Sequence, residues 1–277
     1  MSARPAVALL FALAACASPR SGPPPGSGPL DGTPKSFVVV GYSTSYAWPA
    51  MLQEMLDAHA GGPGVYHVLN AVVGGSPVET WIAEPGSEDH ARTFGAMERD
   101  FFGPTPRLRG EAPPPTVALC QQSLQFTRTR RGPIADASDR EGIEIGADAL
   151  ETLARRLRDA GIQRVYVAMH VYKVTVEPEV GNERLALAAL LERGLPYVFE
   201  GPDVWTPTQA LHPLGFEEDG VHPDETGMKL MAELWYRRLA GRDAREEVIE
   251  ALHARDWDVE AMMDAYRAWR SGSGSQG

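Results

Sequence analysis

Cysteine is almost absent: the 277 residues contain two, Cys16 and Cys120. A framework of several disulfides is therefore excluded. Basic charge is also short. The 26 Lys and Arg residues face 37 Asp and Glu, for a formal net charge of -11. A non-specific nucleic-acid binder needs a basic footprint, so that class is excluded as well. The 7 histidines, at 59, 67, 90, 170, 212, 222 and 253, show no metal-ligand spacing. The apolar run Ala6 to Ala15 is too short to span a bilayer, and no repeat recurs at solenoid periods. What is present is an ordinary apolar fraction, 43%, in a chain long enough for one large α/β domain or two small ones.

The N-terminus "MSARPAVALLFALAAC" has the form of a signal peptide over residues 1–15: Arg4 near the start, then the short apolar run. Leu13-Ala14-Ala15-Cys16 resembles the lipobox of bacterial lipoproteins. That resemblance implies acylation of Cys16 and a protein anchored by lipid at the bacterial cell envelope, at the outer membrane or cell surface, without spanning it. Cys120 is then left without a disulfide partner. Residues 16–35 are rich in Pro, Gly and Ser and read as an extended tether. A folded domain is expected over 36–240, a helical extension over 241–270, and a disordered tail over 271–277.

Within the domain, apolar runs of strand length alternate with segments of helical period. "SFVVVG", "VYHVLNAVV", "TVALCQQ", "RVYVAMHVY" and "PYVFEG" read as strands. "WPAMLQEMLDAHA", "GADALETLARRLRDAG" and "GNERLALAALLERG" read as helices, the last two with glycine stops. In a further helix after "DGVHPDETG", Met228, Met231, Trp235 and Leu239 share one face. Residues 82–115 read as an insertion with one short helix around "DHARTFGAMERDFF". Alternation of nearly continuous apolar strands with helices predicts a parallel sheet covered on both faces. Ligands of such sheets gather at the carboxyl ends of the strands.

Chemistry-bearing residues collect at those ends. The first strand runs into Gly41-Tyr42-Ser43, and the second into Asn70 and then Gly74-Gly75-Ser76. The third runs into Cys120-Gln121-Gln122-Ser123. Late in the domain, Asp219 stands three residues before His222, on a turn that Pro223 leads into a helix. An aspartate so placed can accept the Nδ1 proton of the imidazole and leave Nε2 as a base. A serine hydroxyl becomes an effective nucleophile when such a base is in reach.

In this order the four segments resemble the SGNH, or GDSL, hydrolase superfamily, over roughly residues 36–240. The resemblance implies a three-layer α/β/α sandwich around a parallel sheet of about five strands, flavodoxin-like in topology. It implies ester hydrolysis through an acyl-enzyme, with no cofactor and no metal. It makes Ser43 the nucleophile, His222 the base and Asp219 its partner. The oxyanion donors are then the Ser43 and Gly75 N–H groups and the Gln122 amide. Ser45 falls where the family often has Thr or Ser. Gly74 is the alternative to Gly75 by one register, and Gln121 the alternative to Gln122. Two positions depart from the family pattern: Tyr42 replaces an Asp, and "CQQS" replaces Gly-x-Asn-Asp.

Trp48, Trp81, Trp205 and His170 are candidate substrate contacts near the strand ends. Residues 127–131, "TRTRR", read as a solvated loop, and Cys120 as a structural thiol. The expected partner is an acylated small molecule or polysaccharide, acetyl esters of extracellular carbohydrate above all. A lipolytic esterase and a non-catalytic surface-binding lipoprotein are the competing expectations. No strongly apolar lid helix supports the first of these, and Tyr42 and "CQQS" are the support for the second.

Overall fold

Phe37, Val38, Val39 and Val40 are all wholly buried. Stiff, β-branched side chains favour an extended backbone, and period-two alternation then sends Phe37 and Val39 to one core and Val38 and Val40 to the other. This segment is the middle of the sheet. A computed structural model of the protein describes residues 28–108, 111–122, 133–173 and 181–272. Cys16, "TRTRR" and Ser123 lie outside the described residues, as does the tail after Gly272.

The strands are β1 (Lys35–Gly41), β2 (Tyr66–Asn70), β3 (Pro115–Gln121), β4 (Arg164–Val167) and β5 (Val198–Glu200). They form one sheet of order β2-β1-β3-β4-β5, parallel throughout. The described helices are α1 (Trp48–Ala60), α2 (Val78–Trp81), α3 (Glu88–Arg92), α4 (Phe94–Met97), α5 (Arg140–Asp159), α6 (Glu183–Glu192), α7 (Trp205–Leu211), α8 (Glu225–Ala240), α9 (Glu246–Ala254) and α10 (Val259–Arg270). Helices α1, α8 and α9 bury one face of the sheet, and α2, α4, α5 and α6 the other. The result is a three-layer α/β/α sandwich with flavodoxin-like strand order. From β1 the chain steps outward to β2 and then crosses to β3 on the other side. The switch point therefore lies at the carboxyl end of β1, where such folds bind ligands.

Helix starts follow local chemistry. Asp139 caps α5 by accepting from the Gly142 N–H at 3.0 Å, and Asp224 caps α8 through the Gly227 N–H at 3.0 Å. On α8, Met228, Met231, Trp235 and Leu239 are all buried, as their period predicts. The expected single helix around residues 89–102 is instead broken into α3, α4 and a short π-helical turn, Glu98–Phe102. Thr93, at φ -111° and ψ -100°, interrupts it, and its hydroxyl bonds to the Thr80 carbonyl at 2.8 Å.

Helix α10 lies beside the β2 side of the sheet. Met262, Met263 and Tyr266 of α10 pack on the α1-side core, while Trp269 packs on the opposite core. Gln53 of α1 also meets β2: its Nε2 donates to the Tyr66 carbonyl at 2.8 Å, and its Oε1 accepts from the Val68 N–H at 2.6 Å.

Candidate active site

Strand β1 delivers its end without a side chain at Gly41. A Cβ there would lie 3.1 Å from the Ser45 hydroxyl and 3.2 Å from the Gln121 carbonyl, so only glycine fits without displacing a neighbour. Tyr42 remains extended, and Ser43–Ser45 form one 3-10 turn. That turn buries Ser45 completely and leaves Ser43 partly accessible.

The loop before α8 faces it. Ser43 Oγ lies 2.9 Å from His222 Nε2, and His222 Nδ1 lies 2.6 Å from Asp219 Oδ2. A carboxylate only accepts, so Nδ1 carries the proton and Nε2 accepts from the serine hydroxyl. Oδ1 of Asp219 accepts from the backbone N–H groups of Val221 at 2.8 Å and His222 at 2.9 Å. The loop is closed by the Glu217 N–H to the His222 carbonyl at 2.8 Å. Partial burial pushes the Asp219 carboxyl upward. The hydrogen bonds from the His222 ring and from the two N–H groups outweigh it and hold the pKa at about 2.

Two flanks converge on Ser43. On one side the parallel ladder continues past β2: the Ala71 N–H donates to the Val39 carbonyl at 3.0 Å and the Val73 N–H to the Gly41 carbonyl at 3.2 Å. Two residues further stands Gly75, at a φ of 62° that suits glycine. The Arg92 guanidinium holds the Gly74 and Gly75 carbonyls, each at 3.4 Å. A trans peptide then turns the Gly75 N–H away from Arg92. On the other side Gly41 pairs with Gln121.

The two glutamines have different environments. Gln121 is committed to the core: its Nε2 donates to the Met169 carbonyl at 2.5 Å, and its Oε1 accepts from Trp235 Nε1 at 3.1 Å. Gln122 is 3% exposed, yet among the described residues neither its Oε1 nor its Nε2 has a partner. A buried amide so left costs free energy unless something else uses it.

Of the candidate substrate contacts, Trp48 and Trp81 are 0% exposed. Trp48 stacks on Trp235 at 5.6 Å, and Trp81 Nε1 donates to Ser76 Oγ at 3.2 Å. Both are core residues, and Trp205 is buried too. His170 is also buried, at 1% exposure, with Nδ1 against the Val171 carbonyl and its ring stacked 5.0 Å from that of Tyr42. Burial, with the Lys173 charge nearby, lowers the His170 pKa well below the usual imidazole value. None of the four presents a surface to a substrate, because packing has claimed each aromatic face.

Lys173 is a feature the sequence did not mark. It is buried, with Nζ 4.8 Å from the centre of the Tyr42 ring. Burial lowers its pKa to about 8, against the opposing pull of Glu183 and Asp219. Its only signal was a lysine ending the apolar segment "HVYK". Tyr42, standing where the resemblance has Asp, is thus enclosed by His170 and Lys173. Asn70 works in the backbone, with Nδ2 donating to the Tyr46 carbonyl at 3.1 Å and Oδ1 accepting from the Val72 N–H at 3.0 Å. Among the described residues no cluster of three or more His, Cys, Asp or Glu is placed to hold a metal.

No protein-family model matches the chain, and no curated protein matches it. Solved structures do. A carbohydrate esterase family 3 protein from Talaromyces cellulolyticus superposes with a TM-score of 0.52 at 11% identity, over 80% of this chain and 100% of that one. A variant of an acetylxylan esterase from Geobacillus stearothermophilus gives 0.52 at 11% identity, over 77% and 97% of the two chains. An α/β hydrolase from the metagenome of Lake Arreo gives 0.51 at 13% identity, over 77% and 98%. The chain shares its fold with these proteins.

Proposed function

We propose that this chain is a serine ester hydrolase of the SGNH type, acting through Ser43, His222 and Asp219. The observation that carries the reading is the unbroken pair of hydrogen bonds from Ser43 Oγ through the imidazole to Asp219, 2.9 and 2.6 Å, at the switch point of the sheet. As Ser43 Oγ attacks the ester carbonyl carbon, its proton passes to His222 Nε2. Asp219 holds the ring orientation and stabilises the imidazolium. The carbonyl oxygen becomes an oxyanion, met by the Ser43 and Gly75 N–H groups and the Gln122 amide. The unpartnered Gln122 amide supports this role, since a donor fixed before charge develops is what such a site needs. Collapse breaks the ester C–O bond, and the leaving alkoxide takes the proton from Nε2. Water then attacks the acyl-enzyme by the same route and frees Ser43.

For the substrate, we infer an O-acyl ester, acetyl in the first instance, on extracellular carbohydrate. The shared fold with a carbohydrate esterase and an acetylxylan esterase supports that choice. The Leu-Ala-Ala-Cys boundary supports a lipid on Cys16 and a place at the cell envelope. Cys16→Ser is expected to release the mature protein from membranes; a variant processed and retained like the wild type refutes the anchor.

A fluorophosphonate probe tests the chemistry. The adduct is expected on Ser43 and absent from Ser43→Ala. An adduct on Ser45 overturns the assignment. No adduct at all, with no turnover across esters from acetylated sugars to long-chain lysolipids, leaves a surface-binding protein.

A further inference from the structure

The loop that would supply the Gly75 N–H is built from the residues least able to hold a shape. Gly74 and Gly75 are adjacent, and glycine is the most permissive backbone unit. The orientation of that N–H must therefore come from neighbours. Four are visible. Asn70 Oδ1 accepts from the Val72 N–H at 3.0 Å. Tyr266 of α10 donates its hydroxyl hydrogen to the Val72 carbonyl. Arg92 holds the Gly74 and Gly75 carbonyls, and its own carbonyl accepts from Arg270 of α10 at 3.3 Å. The fourth is Tyr46.

Tyr46 stands three residues after Ser43. Its carbonyl accepts from Asn70 at 3.1 Å. Its hydroxyl oxygen occupies the place a Gly74 Cβ would take, with Cζ 3.4 Å from that point. The centre of its ring is 5.5 Å from that of Tyr266 and 5.8 Å from the Arg267 guanidinium. Beyond the ring is a cavity of about 290 Å³ between α1, β2 and α10, walled by Tyr46, Leu69, Met262 and Tyr266 among others.

We propose that Tyr46 is a positioning residue for the oxyanion loop, braced by α10 through Tyr266 and Arg267. The proposal rests on the serine-esterase reading above. Tyr46 touches no reacting atom. Its hydroxyl sets where Gly74 sits, and Gly74 sets the peptide whose N–H belongs to Gly75. The C-terminal helix thereby joins the active site from outside the sheet.

The test is a double-mutant cycle on the full chain with Tyr46→Phe, Gly74→Ala and both, following acetyl-ester hydrolysis. Tyr46→Phe is expected to lower kcat by about 10–10²-fold, with KM within about twofold. The acid limb of the pH profile should be unchanged, because the Ser43–His222–Asp219 contacts are not altered. Gly74→Ala alone should be worse, since its methyl collides with the hydroxyl oxygen. In the Tyr46→Phe background the same methyl has room, so the double variant should match Tyr46→Phe alone. Tyr266→Phe, which reaches the loop from α10, should lower kcat in the same sense.

Wild-type kcat in Tyr46→Phe overturns the proposal. So does a Gly74→Ala loss that is equal in both backgrounds, or a shift of the acid limb in Tyr46→Phe. These outcomes leave the esterase reading intact. That reading fails separately, and the proposal with it, if wild type and Ser43→Ala are equally inactive.

Discussion

Replacing Gln122 by methionine should make the protein more stable and slower. The side chain is 3% exposed and both amide atoms lack partners. Folding therefore strips water from a donor and an acceptor, and the described residues return nothing for either. An orphaned buried polar group costs about 1–3 kcal/mol, and methionine fills nearly the same volume with no polar atom to satisfy. Gln122→Met should recover most of that cost. For a domain of this size about 1 kcal/mol moves the midpoint by roughly 2–4 °C, so a rise of several degrees is expected in thermal unfolding. On the proposed mechanism the same change removes an oxyanion donor, and kcat should fall by about 10²–10³-fold with KM nearly constant. Gln121→Met is the control. It removes the bonds to the Met169 carbonyl and Trp235 Nε1 and leaves the buried indole N–H unpaired. It should lower the midpoint, by the same reasoning with the sign reversed, and affect kcat less. The reasoning is refuted if Gln122→Met destabilises the fold, if it leaves kcat unchanged, or if the loss of kcat belongs to Gln121.

Asp219→Asn should lower kcat by about 10³–10⁴-fold, through the lost imidazole orientation, measured as ester turnover with the fold checked by circular dichroism. Because Asp219 is held at about 2, below its ordinary value, its contribution to stability is present above pH 4 and is lost as pH falls toward 2. Acid unfolding of Asp219→Asn should show a correspondingly weaker dependence across that window. Lys173 has its pKa depressed to about 8 from 10.5, so the folded state binds fewer protons than the unfolded chain between those values. Stability from this group is reduced below pH 8 and recovers as pH rises toward 10.5. The difference in unfolding midpoint between Lys173→Met and wild type should shrink across that range. Cys120 is wholly buried and burial pushes its thiol far up, so a thiol reagent should modify it only after denaturation.

The parts legible in the sequence are those whose signal is local. Phe37–Val40 reads as a buried strand from composition alone. Asp219 and His222 read as a pair because three residues of a turn bring them together whatever the rest of the chain does. Features that depend on a distant partner did not read. The apolar run to Tyr172 reads as one strand, but β4 stops at Val167 and only single backbone bonds continue, such as the Ala168 N–H to the Cys120 carbonyl. Alternation along β3 shows that Gln121 and Gln122 face opposite ways, but not that Trp235, more than a hundred residues later, would claim Gln121. Trp48 and Trp81 lie close in sequence to the strand ends, yet the layers they pack into are set by α5 and α8. The bracing of the Gly74–Gly75 loop by α10 joins residues nearly two hundred positions apart, and no spacing rule reaches that far.

The contact of Gln53 with β2 bears on how the molecule avoids its own copies. A strand at the edge of a sheet offers unpaired peptide groups to any other chain, the first step toward fibre-like association. Here the side-chain amide of Gln53 offers one donor and one acceptor to the Tyr66 carbonyl and the Val68 N–H, as the peptide of a sixth strand would. It therefore acts as a one-residue counterfeit of a neighbouring strand. An incoming strand therefore finds the Tyr66 carbonyl and the Val68 N–H already engaged, on a margin that α10 faces across the cavity.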